Sequence, residues 1–195
     1  MINTNKTINL KHVIINDING KRSNSKIPAI FLDRDGVVIK DCHHIRDPKK
    51  VVLLDGVIDL IQKANLKGWL VVIITNQSGI SRGIFSWKDY EMVTARMLDL
   101  IGKNIIINAI YANGYADNTE EAQWRKPSPG MIYQASLDLN IDLNNSILFG
   151  DRLTDLLAGE RAGLKEVIHL LTGHGREERL NVIKSKEESK ESLKT

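Results

Sequence analysis

Two aspartates one residue apart, Asp33 and Asp35, follow the apolar run Ala29-Ile30-Phe31-Leu32, and Gly36 comes directly after them. Carboxylates this close repel each other, and the end of a buried strand holds them partly out of water. A bound cation removes that conflict. Carboxylate oxygens at this spacing suit Mg²⁺, which keeps several waters and often shares its shell with a substrate phosphate. Taken alone, the tetrapeptide could equally be two acids opening a surface loop.

Three further stretches bear on that choice. Val71-Val72-Ile73-Ile74 runs into Thr75-Asn76-Gln77-Ser78-Gly79, Arg125-Lys126-Pro127 precedes a helix start, and Ile147-Leu148-Phe149 runs into Gly150-Asp151-Arg152 with Asp155 four residues beyond Asp151. Three of the four stretches are thus apolar runs that stop at hydroxyl, amide or acid residues. In open α/β sheets ligands bind outside the carboxyl ends of the strands, so these clusters should meet at one crevice although they are far apart in sequence.

The four stretches together resemble the haloacid dehalogenase-like phosphohydrolases, whose motifs are an Asp-x-Asp pair, a Thr or Ser, a Lys, and a Gly-Asp followed by another acid. Ala29 to Gly36, Leu54-Asp55-Gly56-Val57, Thr75 to Ile80 with Arg82-Gly83, and Arg125-Lys126-Pro127 with Pro129-Gly130-Met131 bring the chain nearest to the D-glycero-D-manno-heptose 1,7-bisphosphate 7-phosphatases and their histidinol-phosphatase relatives. This resemblance implies that Asp33 is the nucleophile and forms an aspartyl-phosphate. Asp35 is then the general acid and base, while Thr75 and Lys126 bind the transferring phosphoryl group with Asn76 beside them. Asp33, Asp35 (through its backbone carbonyl) and Asp151 hold Mg²⁺, and Asp155 braces the loop.

Specificity is expected from the rim. Arg34, Arg125 and Arg152 can grip phosphate or sugar hydroxyls, and the resemblance adds Gln77, Ser78 and Arg82. The segment Asp41-Cys42-His43-His44 lies where the family's flap meets the sugar. Adjacent histidines could suggest a metal, but neighbours do not face one way and no Cys or carboxylate cluster completes a site, so surface or substrate contact is the expectation. Many relatives insert a zinc loop of three Cys and one His before Arg-Lys-Pro. Residues 113–124 contain neither Cys nor His, so no structural zinc is expected, and Trp124 and Tyr115 are left to order the loop. A phosphorylated sugar is therefore the expected small-molecule partner. Histidinol phosphate, a polynucleotide 3′-phosphate, and an inactive fold used for binding stand as alternatives.

The chain has 195 residues with 42% hydrophobic and 26% charged residues, enough for one core. No apolar run is long enough to span a membrane, and the start of the chain lacks a secretory-signal pattern. A single cysteine, Cys42, fits a reducing cytoplasm. The formal net charge of +3 is uneven: residues 1–27 carry +4 and residues 184–195 carry +1, leaving −2 on the rest. A mildly acidic body argues against a nucleic-acid face. A monomer or weak homo-oligomer is expected.

Alternation of strands and helices predicts a doubly wound, parallel, Rossmann-like α/β sheet. The spacing predicts a helix from Val57 stopped by Gly68, and a strand over residues 69–74. A helix opened by a Ser86–Asp89 capping box should reach about Ile101, followed by a strand over 105–112. Ser128 and Pro129 read as N-cap and first residue of the next helix. Then come a strand over 146–149, a helix over 154–162 closed by Gly163, and a strand over 166–171. A short charged helix should follow Gly175, with a frayed tail after it. Residues 1–27 form an appendage in which 8–18 could add an edge strand, 28–175 the phosphatase domain, and 176–195 the helix and tail. Neither the interval between Asp33 and Thr75 nor that between Thr75 and Lys126 has room for a cap domain.

Overall fold

The computed structural model describes residues 10–15, 25–116 and 123–192. Its strands are β1 (Lys11–Ile15), β2 (Ala29–Leu32), β3 (Leu70–Asn76), β4 (Ala109–Asn113), β5 (Ile147–Gly150) and β6 (Glu166–His169). They form one sheet in the order β1-β4-β3-β2-β5-β6, parallel except for β1. The helices are α1 (Val57–Leu66), α2 (Trp87–Ile101), α3 (Gly130–Leu139), α4 (Leu153–Arg161) and α5 (Gly175–Ser192).

The uninterrupted apolar strands are explained by helices on both faces of the sheet. Ala29, Phe31, Val72 and Ile74 pack with Met131, Ala135 and Leu139 of α3, Leu156 and Ala158 of α4 and Val182 of α5. The alternate residues Ile30, Leu32, Val71 and Ile73 face the other way, onto Val57, Ile61 and Ala64 of α1 and Val93, Met97 and Ile101 of α2. β2 lies at the centre. The chain proceeds from it through β3 to β4 on one side, then crosses to β5 and β6 on the other, so the strand order reverses between β2 and β5. That topological switch point is where a doubly wound sheet opens its crevice.

Several boundaries differ from the sequence reading. Part of the supposed appendage belongs to the sheet: β1 pairs antiparallel with β4, from Lys11 opposite Asn113 to Ile15 opposite Ala109. β4 begins at Ala109 rather than near 105. Pro129 is the N-cap of α3 and not its first residue, because its ψ of 7° already departs from helical values. α5 is not short; it continues through the charged tail to Ser192. The Ser86–Asp89 capping box forms as expected, with Ser86 N donating to Asp89 Oδ2 at 2.8 Å.

Between Asp33 and Thr75 the chain makes a tight flap, a 3-10 turn (Pro48–Lys50) and α1. The flap is tied down where Gly36 N donates to Ile39 O at 2.8 Å and Lys40 N to Val52 O at 2.9 Å. No second domain covers the crevice among the described residues.

β2 and β5 must be aligned for their polar ends to meet. Buried Ser146 does this at the opposite end: its Oγ accepts from Ala29 N at 2.8 Å and donates to Asp142 O at 2.6 Å. Ser146→Ala would strand the buried Ala29 N–H, and we expect it to cost about 1–3 kcal/mol of unfolding free energy in urea titration. A loss under ~0.5 kcal/mol would contradict this role.

Candidate active site

The carboxyl ends of β2, β3 and β5 open onto one cavity of ≈ 370 Å³, within the range of small-molecule sites. The sequence-predicted residues Asp33, Arg34, Asp35, Asp41, His43, His44, Thr75, Asn76, Gln77, Ser78, Arg82, Arg125, Lys126, Arg152 and Asp155 all line it. Asp151 is fully buried at its floor, with one oxygen in a group formed by Asp33, Asp151 and Asp155 whose ligand atoms lie within 4.8 Å of one another.

Lys126 organises that floor. Its ammonium lies 2.6 Å from Asp33 Oδ1 and 2.7 Å from Asp155 Oδ1, and donates to Ile74 O at 3.1 Å. Burial favours a neutral amine, but Asp155 and Asp33 outweigh it and hold the lysine charged, with its pKa above the ordinary value. Burial also pushes the Asp33 carboxyl up, opposed by Lys126 and reinforced by Asp155, Asp151 and Asp35. Asp151 rises to about 6, chiefly through burial, although the His174 N–H bonded to it pulls the other way.

Asp151 is confined by glycine. A Cβ on Gly36 (φ 90°) or on Gly173 (φ 50°) would drive into Asp151 Oδ2, so the two loops can close on the carboxylate only without side chains there. His174 N donates to that same Oδ2 at 2.8 Å, whereas Oδ1 is buried with no hydrogen-bond partner. A buried carboxylate oxygen without a donor, beside two more carboxylates, is what a hard cation would satisfy. The residues present therefore fit Mg²⁺.

Side-chain directions refine the predicted roles. Asp35 does not join the carboxylate group at the floor. Its oxygens are gripped by Arg34, with Nη2 to Oδ2 at 2.9 Å and Nε to Oδ2 at 3.1 Å, and by Gln77 Nε2 at 2.9 Å. Any contribution of Asp35 to the cation is thus through its main chain, and Asp155 supplies the third carboxylate. Arg34 is not a rim residue: its side chain is 1% exposed and its guanidinium lies 5.3 Å from the Tyr90 ring. Its pKa stays above the ordinary value because Asp35 outweighs burial. Gln77 also donates to Thr75 Oγ1 at 2.7 Å, so its amide links Thr75, Asp35 and Arg34. Asn76 brackets the main chain of Lys126, accepting from its N–H and donating to its carbonyl, both at 3.1 Å. These amides hold the site together rather than pointing at a ligand. Ser78, Arg82, Arg125 and Arg152 stand nearer the mouth, and Arg125 Nη1 donates to Tyr115 O at 3.2 Å.

Trp124 is buried edge-on against Tyr111, their centroids 5.8 Å apart, and anchors the described end of the loop before Arg125. Residues 117–122 of that loop lie outside the described residues. Thr154 and Ile45 line the cavity without having been singled out in sequence. His174 was also missed. Its signal was the Gly173-His174-Gly175 turn after a strand, a place where only glycine neighbours let a side chain approach the crevice.

A sheet whose switch point carries this acid–lysine floor is the architecture of the haloacid dehalogenase-like hydrolases, and the chain belongs to that family. The HAD-hydrolase-like family model matches residues 123–191. Within the family its relatives are heptose bisphosphate phosphatases. The chain is 37% identical to the D-glycero-beta-D-manno-heptose-1,7-bisphosphate 7-phosphatase of Mesorhizobium japonicum over 79% of this chain and 74% of that protein. It is 38% identical to the alpha-heptose counterpart of Photorhabdus laumondii, over 77% of this chain and 86% of that one. The crystal structure of the B. bronchiseptica D,D-heptose 1,7-bisphosphate phosphatase, complexed with magnesium and phosphate, superimposes with a TM-score of 0.73 at 30% identity, covering 80% of this chain and 87% of that one. No described helix is long and apolar enough to cross a membrane.

The pKa of Asp151 sets a stability signature for the metal-free protein. Burial raises it from the ordinary 3.8 to about 6, so the folded state holds this proton to higher pH than the unfolded chain. The contribution is fully present below about pH 4 and is lost as pH rises through about 6. In metal-stripped protein, Asp151→Asn should therefore gain on the native chain by on the order of 2 kcal/mol between pH 4 and pH 7. Urea titrations across that range measure it, and a stability gap that does not change with pH would contradict it.

Proposed function

We propose that this phosphatase removes the 7-phosphate of a D-glycero-D-manno-heptose 1,7-bisphosphate through a phosphorylated Asp33, with Mg²⁺ at the acid floor. The observation that carries the substrate is the 37–38% identity to proteins named for that activity over more than three quarters of the chain, with the nucleophile, lysine and acids gathered in one cavity.

Asp33 Oδ attacks phosphorus, and the bond between phosphorus and the sugar oxygen breaks. Asp35 gives the leaving oxygen its proton, then takes one from the water that attacks the aspartyl-phosphate and releases inorganic phosphate. Two easier displacements replace one difficult one. Arg34 and Gln77 fix the Asp35 carboxylate for both transfers, while Lys126 and Thr75 receive the equatorial phosphoryl oxygens. Asp33, Asp151 and the main-chain carbonyl of Asp35 would hold the ion. When bound, Mg²⁺ neutralises the acids and the phosphoryl oxygens together.

With a capless rim, contacts beyond the transferring group come from loops. Arg82, Arg125 and Arg152 stand at the mouth, where a second phosphate on the sugar gains more from guanidinium groups than an imidazole and amine would. The relatives include both anomers, so the preferred anomer follows from assay. We expect kcat/KM for a heptose 1,7-bisphosphate to exceed that for histidinol phosphate by at least about tenfold, equivalent to ~1.4 kcal/mol. Equal values, or an advantage for histidinol phosphate, would overturn the substrate.

Asp33→Asn keeps the shape of the site and removes the nucleophile. Turnover should fall by ~10³-fold or more with the melting temperature preserved. EDTA should abolish activity and Mg²⁺ restore it, whereas undiminished turnover in chelator would contradict metal dependence.

A further inference from the structure

The strongest feature outside the acid floor is a second group of ligand atoms at the cavity edge, supplied by Asp41, His43 and His174. One oxygen or ring nitrogen from each lies within 4.8 Å of the others. Asp41 Oδ2 is 3.0 Å from His174 Nε2, and the two imidazole rings have centroids 5.5 Å apart, tilted by 56°. The sequence offered no Cys or carboxylate cluster to complete a site beside His43; the fold brings Asp41 and His174 to it. The sequence hid this because His174 lies more than a hundred residues away.

We propose that Asp41, His43 and His174 form a binding site for a transition-metal ion of the zinc class, separate from the magnesium site. Three observations converge on it.

The first is the donor set. Two imidazoles and one carboxylate suit Zn²⁺ or Co²⁺, whereas Mg²⁺ prefers oxygen alone. Three protein ligands leave one tetrahedral position for a further ligand, and Asp41 and His43 line the cavity from which it could come.

The second is the support behind the ligands. His174 Nδ1 lies 3.2 Å from the exposed Glu177 Oε2, a contact of the kind that orients metal-bound histidines. With Nδ1–H given to Glu177, Nε2 presents a lone pair to the Asp41 carboxylate. In that tautomer Nε2 and Asp41 Oδ2, 3.0 Å apart, both present lone pairs to a shared cation.

The third is preorganisation. His43 N donates to Asp41 Oδ1 at 2.8 Å, leaving Oδ2 for the shared position. His43 and His44 both have positive φ, 45° and 52°, and this turn sends the two rings apart. His43 faces His174, while His44 lies against Phe85 at 6.0 Å. The competing cation is Arg152, 3.8 Å from Asp41 Oδ2 with a side chain 45% exposed. An exposed arginine can swing away at little cost.

Cobalt titration of the full chain, with Mg²⁺ in excess to occupy the acid floor, tests the site. One Co²⁺ per chain should bind and give visible d–d absorption of a four- or five-coordinate ion, and equimolar Zn²⁺ should displace it. His43→Gln and His174→Gln should each abolish the spectrum. Glu177→Gln, which leaves all three ligands in place, should weaken binding by about 10-fold. Cys42→Ser should bind like the native chain, since the adjacent exposed thiol is not among the ligands. Melting curves for each variant separate loss of a ligand from loss of the fold. The proposal is overturned by absence of stoichiometric binding, by binding that survives either histidine variant, or by binding lost in Cys42→Ser.

Discussion

Everything in the crevice depends on one ammonium group. Asp33, Asp151 and Asp155 are brought together at the ends of β2 and β5 in a space that excludes most water, and burying like charges costs several kcal/mol per ion unless they are paired. Lys126 sits between two of them and is itself tied to the end of β3 through Ile74 O. The lysine therefore joins three strands that are distant in sequence. Asn76 closes the arrangement by bonding both main-chain groups of Lys126. A single positive charge does not neutralise three carboxylates. Asp151 shows the result: its Oδ1 has no partner, and burial, with Asp155 adding to it, raises its pKa to about 6. The fold stops short of satisfying its own floor, and a divalent cation would complete it.

A second layer of support reaches Asp35 from an unexpected direction. Its carboxylate is held by Arg34, and Arg34 lies over the Tyr90 ring. Tyr90 meets Trp87 edge-on, and both contact the His12 ring on β1. The edge strand thus buttresses Asp35, the proposed general acid and base. Removing β1 would open this aromatic layer to water and loosen the guanidinium that orients Asp35. Lys126 would be least affected, since it is anchored by Asp33, Asp155 and Ile74 O.

The strand-end motifs were legible in sequence because each reports a local constraint. An apolar run that halts at an acid or hydroxyl marks both the strand and the place where it meets the crevice, and this located Asp33, Thr75 and Asp151. The Ser86 capping box was legible for the same reason. Side-chain direction was not. Arg34 reads as a rim guanidinium beside Asp33, but it lines the cavity from a buried position, and only the tertiary position of Gln77 and Tyr90 shows why a buried guanidinium is tolerated there. The pairing of β1 depends on β4 nearly a hundred residues later, so propensity alone left it as an option within a flexible-looking segment. The glycines around His174 mark a turn, but its significance lies in Asp41 and Asp151, which the fold, not the sequence, places beside it.

The distribution of charge across the cavity constrains the order of events. Metal-free, the floor offers an incoming phosphate dianion three carboxyl groups against one ammonium, and Arg34, the other buried cation among the described residues, is paired with Asp35. Repulsion at the floor opposes the attraction of the arginines at the mouth, so a phosphate would gain most near the rim and least where Asp33 must reach it. A divalent cation neutralising Asp33 and Asp151 would reverse the gradient and make the deepest position the most favourable. Cation and phosphoryl group would then bind with positive coupling, each raising the affinity for the other by the same factor. The arginines, separated from the floor by the depth of the cavity, then act on whatever the sugar carries beyond its transferring phosphate.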